Sequence, residues 1–244
     1  MNSFSFTEYK KIIRYYKKFL KPILFHQIKK ESKNFFTVRH DVEFSTERAL
    51  ELAIIESKDL KIKTSYFFQI TNNSYNLFSY QNKKILNDIK KLGHKIGIHF
   101  NYKGKNSKFM ISKEFNKQVK IFKQFYKFNY KFFSPHRPSK SPYLFKFNYN
   151  NFKNTYNKIY FNEFEVAKKD PNKIIYLVDS RHVWKYLHPL NLNLKKYKKV
   201  HLTFHPDAWS KNGYNKKKNY LLLQKEKSNE FLKTLKEETD YLDL

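Results

Sequence analysis

A single-domain parallel β/α barrel is the fold this sequence predicts. Short apolar strand-like runs alternate with segments of helical period along most of the chain, the mark of parallel βαβ units. Reactive polar side chains recur where those runs end, which is where such barrels build their sites. The length of 244 residues suits one such domain spanning 1–244, with residues 1–33 as a helical extension packed on it.

The elements follow in order. Residues 8–30 read as an amphipathic helix, with Ile12, Ile13, Tyr16 and Leu20 at helical spacing and a kink or end near Pro22. Over residues 34–43, Phe36, Val38, His40 and Val42 alternate with Thr37, Arg39, Asp41 and Glu43, a strand with its polar set on one face. Thr46 is placed to cap a helix carrying Ala49, Leu52, Ala53 and Glu56. A strand over 64–70 and a helix over 81–91 that stops at Gly93 come next. Then follow a strand over 95–100 and a helix over 112–126 with Phe115, Val119, Phe122 and Phe125 facing inward. Strands are predicted at 130–134, 158–161, 174–179 and 199–204, and a closing helix at 219–241. Residues 142–157, dense in Asn, Phe and Tyr, read as an irregular insertion.

Composition narrows the partners. A net charge of +29 invites a nucleic-acid reading, yet only five of the fifty basic residues are arginine, the side chain best suited to bidentate recognition of phosphates and bases. Scattered lysines with abundant Asn, Ile, Phe and Tyr indicate an AT-rich genome, so no specific nucleic acid is expected; a lysine-rich surface can still rest against anionic lipid. With no cysteine, a metal can be held only by His and carboxylates. The early apolar residues are interrupted by Lys17, Lys18, Lys21 and Pro22, no run reaches membrane-helix length, and a cytoplasmic location is expected.

The polar strand ends carry the chemistry. Asp41 and Glu43 end the first strand, His99 the third, His136 and Arg137 follow the fourth, Asp179 ends a later one, and His205 follows the last. Each alone has a structural reading, as a helix cap, a turn or a satisfied histidine, and His26, His94, His182, His188 and His201 are read that way. Together they fall on one rim of the barrel. Neutral imidazoles with carboxylates suit a divalent metal such as zinc, which makes hydroxide available near neutral pH. A free carboxylate can take a proton and a remote His can protonate a leaving nitrogen, an inventory that fits amide hydrolysis.

The strings Arg39-His40-Asp41-Val42-Glu43, Ala49-x-x-Leu52-Ala53-x-x-Glu56, Thr64 to Phe68 and Gly93-His94-Lys95-Ile96-Gly97-Ile98-His99 resemble the polysaccharide deacetylase, or NodB-homology, family. They are most similar to its bacterial branch with a His-Asp-Val-Asp first motif. Ser134-Pro135-His136-Arg137-Pro138, Val178-Asp179-Ser180 with Trp184, and Leu202-Thr203-Phe204-His205-Pro206 with Trp209 follow in that branch's order. The resemblance implies a distorted (β/α)7-type barrel and a metal-dependent hydrolase that removes acetyl groups from N-acetylated sugars. By position it makes Asp41 the base, Glu43 and His99 metal ligands, Arg137 the arginine that orients the base, Asp179 that arginine's partner and His205 the acid.

The sequence departs from the family pattern twice. Glu43 stands where the metal carboxylate is Asp, moving its oxygens outward by roughly 1.5 Å. Lys103 stands four residues after His99, where the second metal His belongs, and an ammonium cannot ligate a cation. His136, arriving at the same rim, is the natural substitute, giving a metal set of Glu43, His99 and His136, with His205 as acid or further ligand. The expected substrate is an N-acylated sugar, nucleotide- or lipid-linked, in surface polysaccharide biosynthesis. The competing reading is a degenerate barrel that binds carbohydrate or supports polysaccharide assembly without hydrolysis.

Overall fold

A computed structural model describes residues 3–127, 129–141 and 143–239. The start of the predicted 142–157 insertion and the end of the predicted closing helix at 240–241 lie outside them. Seven strands form one continuous parallel path: β2 (Phe35–Val42), β3 (Ser65–Phe68), β4 (Lys95–Phe100), β5 (Phe132–Pro135), β6 (Lys153–Asn154), β7 (Ile175–Val178) and β8 (Lys199–Phe204), in the order β6-β5-β4-β3-β2-β8-β7. A two-residue strand, β1 (Lys21–Pro22), pairs with the beginning of β2.

The edges β6 and β7 are not paired to each other, yet the sheet curls until its interior side chains meet. Arg39 on β2 donates to Thr155 Oγ1 and Tyr156 Oη beyond β6, both at 2.9 Å, and to Tyr176 Oη on β7 at 3.1 Å. The two tyrosine hydroxyls lie 3.3 Å apart across the gap. This is a (β/α)7-type barrel left open at one seam and closed there by side chains.

The alternation of strand side chains sorts the barrel into layers. Inward residues at the amino-terminal end, Phe35, Phe67, Phe132 and Tyr160, pack with Phe25 into an apolar plug. Gly97 belongs to that layer because a β-carbon there would come within 2.5 Å of the Phe67 ring and 2.9 Å of the Phe132 carbonyl. The middle layer is polar, with Arg39, Tyr176 and His201 all buried. Asp41, Ser134, His99 and His205 stand at the carboxyl ends. Outward residues such as Val38, Val200, Leu202, Ile98 and Phe100 pack against helices in two apolar clusters.

Those helices are α1 (Phe6–Lys17), α2 (Thr46–Ile54, continued by a π-helical turn over Ile55–Asp59), α3 (Tyr80–Lys91), α4 (Lys108–Phe125), the short α5 (Phe164–Ala167) and α6 (Lys216–Glu238). Among the described residues, no helix is long and apolar enough to cross a membrane. Several predicted boundaries move, and the caps explain most of them. Ser45, not Thr46, accepts from the Arg48 N–H and starts α2; Ser79, Ser107 and Asn215 start α3, α4 and α6 earlier than predicted. The first helix ends at Lys17, well short of residue 30, because the chain turns at Leu20 and residues 21–22 join the sheet.

Residues 158–161 do not form the predicted strand. The sheet edge is Lys153–Asn154 instead, with the Asn154 amide donating to the Leu144 and Phe147 carbonyls at 2.8 and 2.9 Å. Phe125, expected to face inward, is half exposed at the end of α4, its ring against Phe78.

Candidate metal centre

The strand ends bring Glu43, His99 and His136 together. Glu43 Oε1 lies 3.1 Å from His99 Nε2 and 2.8 Å from His136 Nδ1, and the two ring nitrogens are 3.2 Å apart. Residues at the ends of β2, β4 and β5 meet here because these strands run in parallel with β3 between β2 and β4, and His99 is in register with Ser134, two residues before His136. The extra carbon of Glu43 lets a residue one step beyond β2 reach the convergence point.

The donor set fits a divalent cation. Bonds of about 2.0–2.2 Å in a tetrahedral arrangement hold neighbouring donors about 3.3–3.6 Å apart, and the three atoms are already near that spacing. His99 donates from Nδ1 to the Ser134 carbonyl at 3.0 Å, which fixes its tautomer and turns the Nε2 lone pair to the centre. Burial would raise the Glu43 pKa, but the close ring nitrogens of His136 and His99 and the charge of His205 outweigh it. The carboxyl is held well below its ordinary value, in the ligating form.

Asp41 stands beside this trio without joining it. Its Oδ2 is held by Arg39 Nη2 and Ser134 Oγ, both at 3.2 Å, while its Oδ1 is buried with no hydrogen-bond partner among the described residues. Burial pushes this carboxyl up, and the Arg39 guanidinium, with His99 and His205, pulls it below its ordinary value. A deprotonated carboxylate with one restrained oxygen and one unused oxygen is suited to accept a proton.

His205 faces the same space and is held differently. Asp179 Oδ1 accepts from its Nδ1 at 2.7 Å, and the Asp179 carboxylate also accepts from the His205 backbone N–H and from Trp209 Nε1. Burial alone would lower the imidazole pKa, but the bond to Asp179 and that carboxylate's charge raise it to about 10. His205 is therefore a protonated donor at neutral pH.

Two expectations are corrected by this geometry. Arg137 does not orient Asp41; it is exposed, in left-handed backbone at φ 47°, with its guanidinium free of partners among the described residues, and Arg39 takes its place against Asp41. Asp179 is accordingly not an arginine's partner but the partner of His205. The signal for Arg39 was in the alternation: two residues before Asp41, it shares that residue's strand face. Lys103 is exposed and stays outside the trio.

Sequence reasoning missed Asp207, buried at the cleft near His205, with a pKa pushed to about 7 by burial and by Glu43 and Asp179, against the pull of His205. Its position in a turn just past β8 gives no periodic signal. A cleft of about 560 Å³ opens over Asp41, Glu43, His99 and His205, walled by Phe145, Tyr156, Phe161, Tyr176 and Tyr186. A second, of about 630 Å³, adjoins it at Glu43 and His136 and is lined by Gln69, Asn72, Asn73, Asn101 and Lys103.

Fold and site together define the chain as a parallel β/α barrel with a metal-type trio at its carboxyl-terminal mouth. No protein-family profile and no curated relative matches it. Solved structures similar to it include a CE4 family pseudoenzyme from Bacillus anthracis (TM-score 0.44, 16% identity, covering 80% of this chain and 62% of that one). Others are a family 4 acetyl xylan esterase from Clostridium thermocellum in complex with a cobalt ion (0.45, 13%, 80% and 84%) and the chitin deacetylase of the fungal pathogen Colletotrichum lindemuthianum (0.43, 14%, 85% and 86%). The chain thus spans less than two thirds of the Bacillus protein's length.

Proposed function

We propose that the protein is a metal-dependent hydrolase that removes the acyl group from an N-acylated sugar. The observation that carries this reading is a convergent Glu43, His99 and His136 trio with an unpaired Asp41 oxygen on one side and the Asp179-held His205 imidazole on the other. A divalent cation such as zinc held by the trio would supply Lewis acidity and a water of lowered pKa.

The chain's own groups do the rest. Asp41 Oδ1 takes the proton of the attacking water, while Arg39 and Ser134 keep Oδ2 fixed so that only one oxygen is free to move toward it. Water adds to the amide carbonyl, the C–N bond breaks, and His205 delivers its proton to the departing sugar nitrogen. Asp179 keeps His205 charged until that moment and holds its ring through Nδ1. The aromatic wall of the cleft offers flat apolar faces for a sugar ring, and the amide-lined cavity beyond His136 offers donors and acceptors for its hydroxyls.

The pathway we infer is surface polysaccharide biosynthesis, acting on a nucleotide- or lipid-linked amino sugar in the cytoplasm. Acetate release from N-acetylated sugars, with metal content measured on the same preparation, tests the function. Release that requires metal and disappears in Asp41→Asn supports it; stoichiometric metal with no release from any N-acylated sugar leaves carbohydrate binding without hydrolysis as the function.

A further inference from the structure

We propose that the cleft recognises a phosphate-bearing form of its substrate, and that Arg137 and Arg181 are the residues that read the phosphate. The proposal rests on the reading of this cleft as the sugar site and adds the class of sugar it takes.

Arginine is scarce in this chain, five residues against forty-five lysines, so its placement is more informative than that of lysine. Three of the five line this one cleft. Arg39 is committed inside the barrel to Asp41 and the tyrosines, and Arg48, elsewhere in the fold, is committed to Glu226 and Asn219. Arg137 and Arg181 are different. Both are exposed at the cleft mouth, and neither guanidinium has a carboxylate or hydrogen-bond partner among the described residues.

Their backbone is also unusual. Arg137 follows β5 at φ 47°, ψ 56° and Arg181 follows β7 at φ 58°, ψ 36°, both in the left-handed region that side chains other than Gly, Asn and Asp seldom occupy. Such conformations persist where the surrounding structure holds them, and they concentrate at ligand sites. Lys140 and Lys185 line the same mouth, the latter with its ammonium 5.0 Å over the Tyr186 ring. Of the cleft's acidic residues Asp41 and Asp207 are buried and Glu43 is half-buried, whereas Arg137, Lys140, Arg181 and Lys185 are all exposed.

Guanidinium forks match phosphate oxygens bidentately, and several cations suit a group carrying more than one negative charge. A glycosyl phosphate or diphosphate would set its phosphoryl group between Arg137 and Arg181 while its sugar reached the trio below. The aromatic wall could then stack a nucleobase, or remain with the sugar if the carrier is a lipid.

Equilibrium binding to the full-length protein tests this, with and without a chelator so that capture of phosphate by metal is separated from capture by arginine. The probes are inorganic pyrophosphate, uridine diphosphate and uridine diphosphate N-acetylglucosamine. Because the first two carry no acyl group, their binding does not depend on the deacetylase reading. In both conditions Arg137→Ala/Arg181→Ala should weaken pyrophosphate binding at least tenfold. Arg137→Lys/Arg181→Lys should recover only part of it, and a Lys120→Ala/Lys123→Ala control, which removes equal charge from the exposed face of α4, should change it less than twofold. Tighter binding of uridine diphosphate than of pyrophosphate identifies a nucleotide carrier; equal binding identifies a lipid-linked or simple sugar phosphate. No pyrophosphate binding at millimolar concentration, or an equal loss in the lysine control, overturns the proposal.

Discussion

Two clusters of one glutamate and two histidines flank β2, and only one opens on a cleft. On the helix side, Glu56 is fully buried, and its oxygens are saturated by Tyr9 at 2.5 Å, His40 at 2.9 Å, Tyr66 at 2.6 Å and Thr64 at 2.7 Å, with His94 alongside. On the barrel side, Glu43, His99 and His136 turn their donor atoms to a single point at a cleft, and neighbouring Asp41 keeps one oxygen unpaired. Each has one glutamate and two histidines. The difference is that the Glu56 carboxylate is enclosed and saturated by protein donors, although His40 Nδ1 is left unpaired, whereas the donors of Glu43, His99 and His136 converge at an open cleft. A buried polar group without a partner costs free energy, and of the two clusters only the barrel-side one sets such an atom, Asp41 Oδ1, beside an open cleft.

That contrast can be broken experimentally, most decisively at Asp41. Asp41→Asn should lower kcat by about 10²–10⁴-fold with unfolding by denaturant little changed, the range for loss of a general base; unimpaired turnover would remove Asp41 from the chemistry. Glu56→Ala should do the reverse. It strands His40 and three hydroxyls and should cost about 3–5 kcal/mol in denaturant unfolding, while the folded fraction keeps its full metal content.

His99→Ala should abolish stoichiometric metal, measured by elemental analysis, whereas His94→Ala should leave metal untouched and cost about 1–3 kcal/mol of stability. Metal retained in the first variant, or lost in the second, would erase the distinction between the clusters.

The two sides should also differ in pH dependence. The Glu56 pKa is held near 2, with the attraction of His40 exceeding the opposing effect of burial. A group depressed on folding adds stability that is present above its ordinary 4.5 and is lost as pH falls toward 2. His205 is raised to about 10, so its contribution is complete below 6.5 and fades as pH rises through 10. Asp179→Asn should therefore bring the alkaline limb of kcat/KM down toward the ordinary histidine range, while Glu56→Gln should leave that limb in place. The smallest effect expected is in the plug: Gly97→Ala should cost about 1–3 kcal/mol through overpacking against Phe67, with metal and kcat retained.

Much of the site was legible in the chain because a strand's side chains alternate strictly. The residues 34–43 pattern put Arg39, Asp41 and Glu43 on one face and His40 on the other, and the structure keeps that division. The glutamate cluster was less visible: Glu56 read as one position of an amphipathic helix, and nothing local indicates that Tyr9 and Tyr66 close over it. The sheet edge at Lys153–Asn154 was missed for a related reason, since two residues carry no period and the pairing depends on Asn154 bridging distant carbonyls.

The sequence by itself determined the order of the longer strands and helices, the polar face of β2 and most of the acids and histidines at the strand ends, because these follow from local period and from residue chemistry. Only the tertiary structure decided the pairings. Arg39 rather than Arg137 meets Asp41, and Asp179 holds His205 rather than partnering an arginine, whereas the trio of Glu43, His99 and His136 is already proposed from the chain. Which of them touch depends on how far the sheet curls and where its seam closes, and no local pattern encodes that angle.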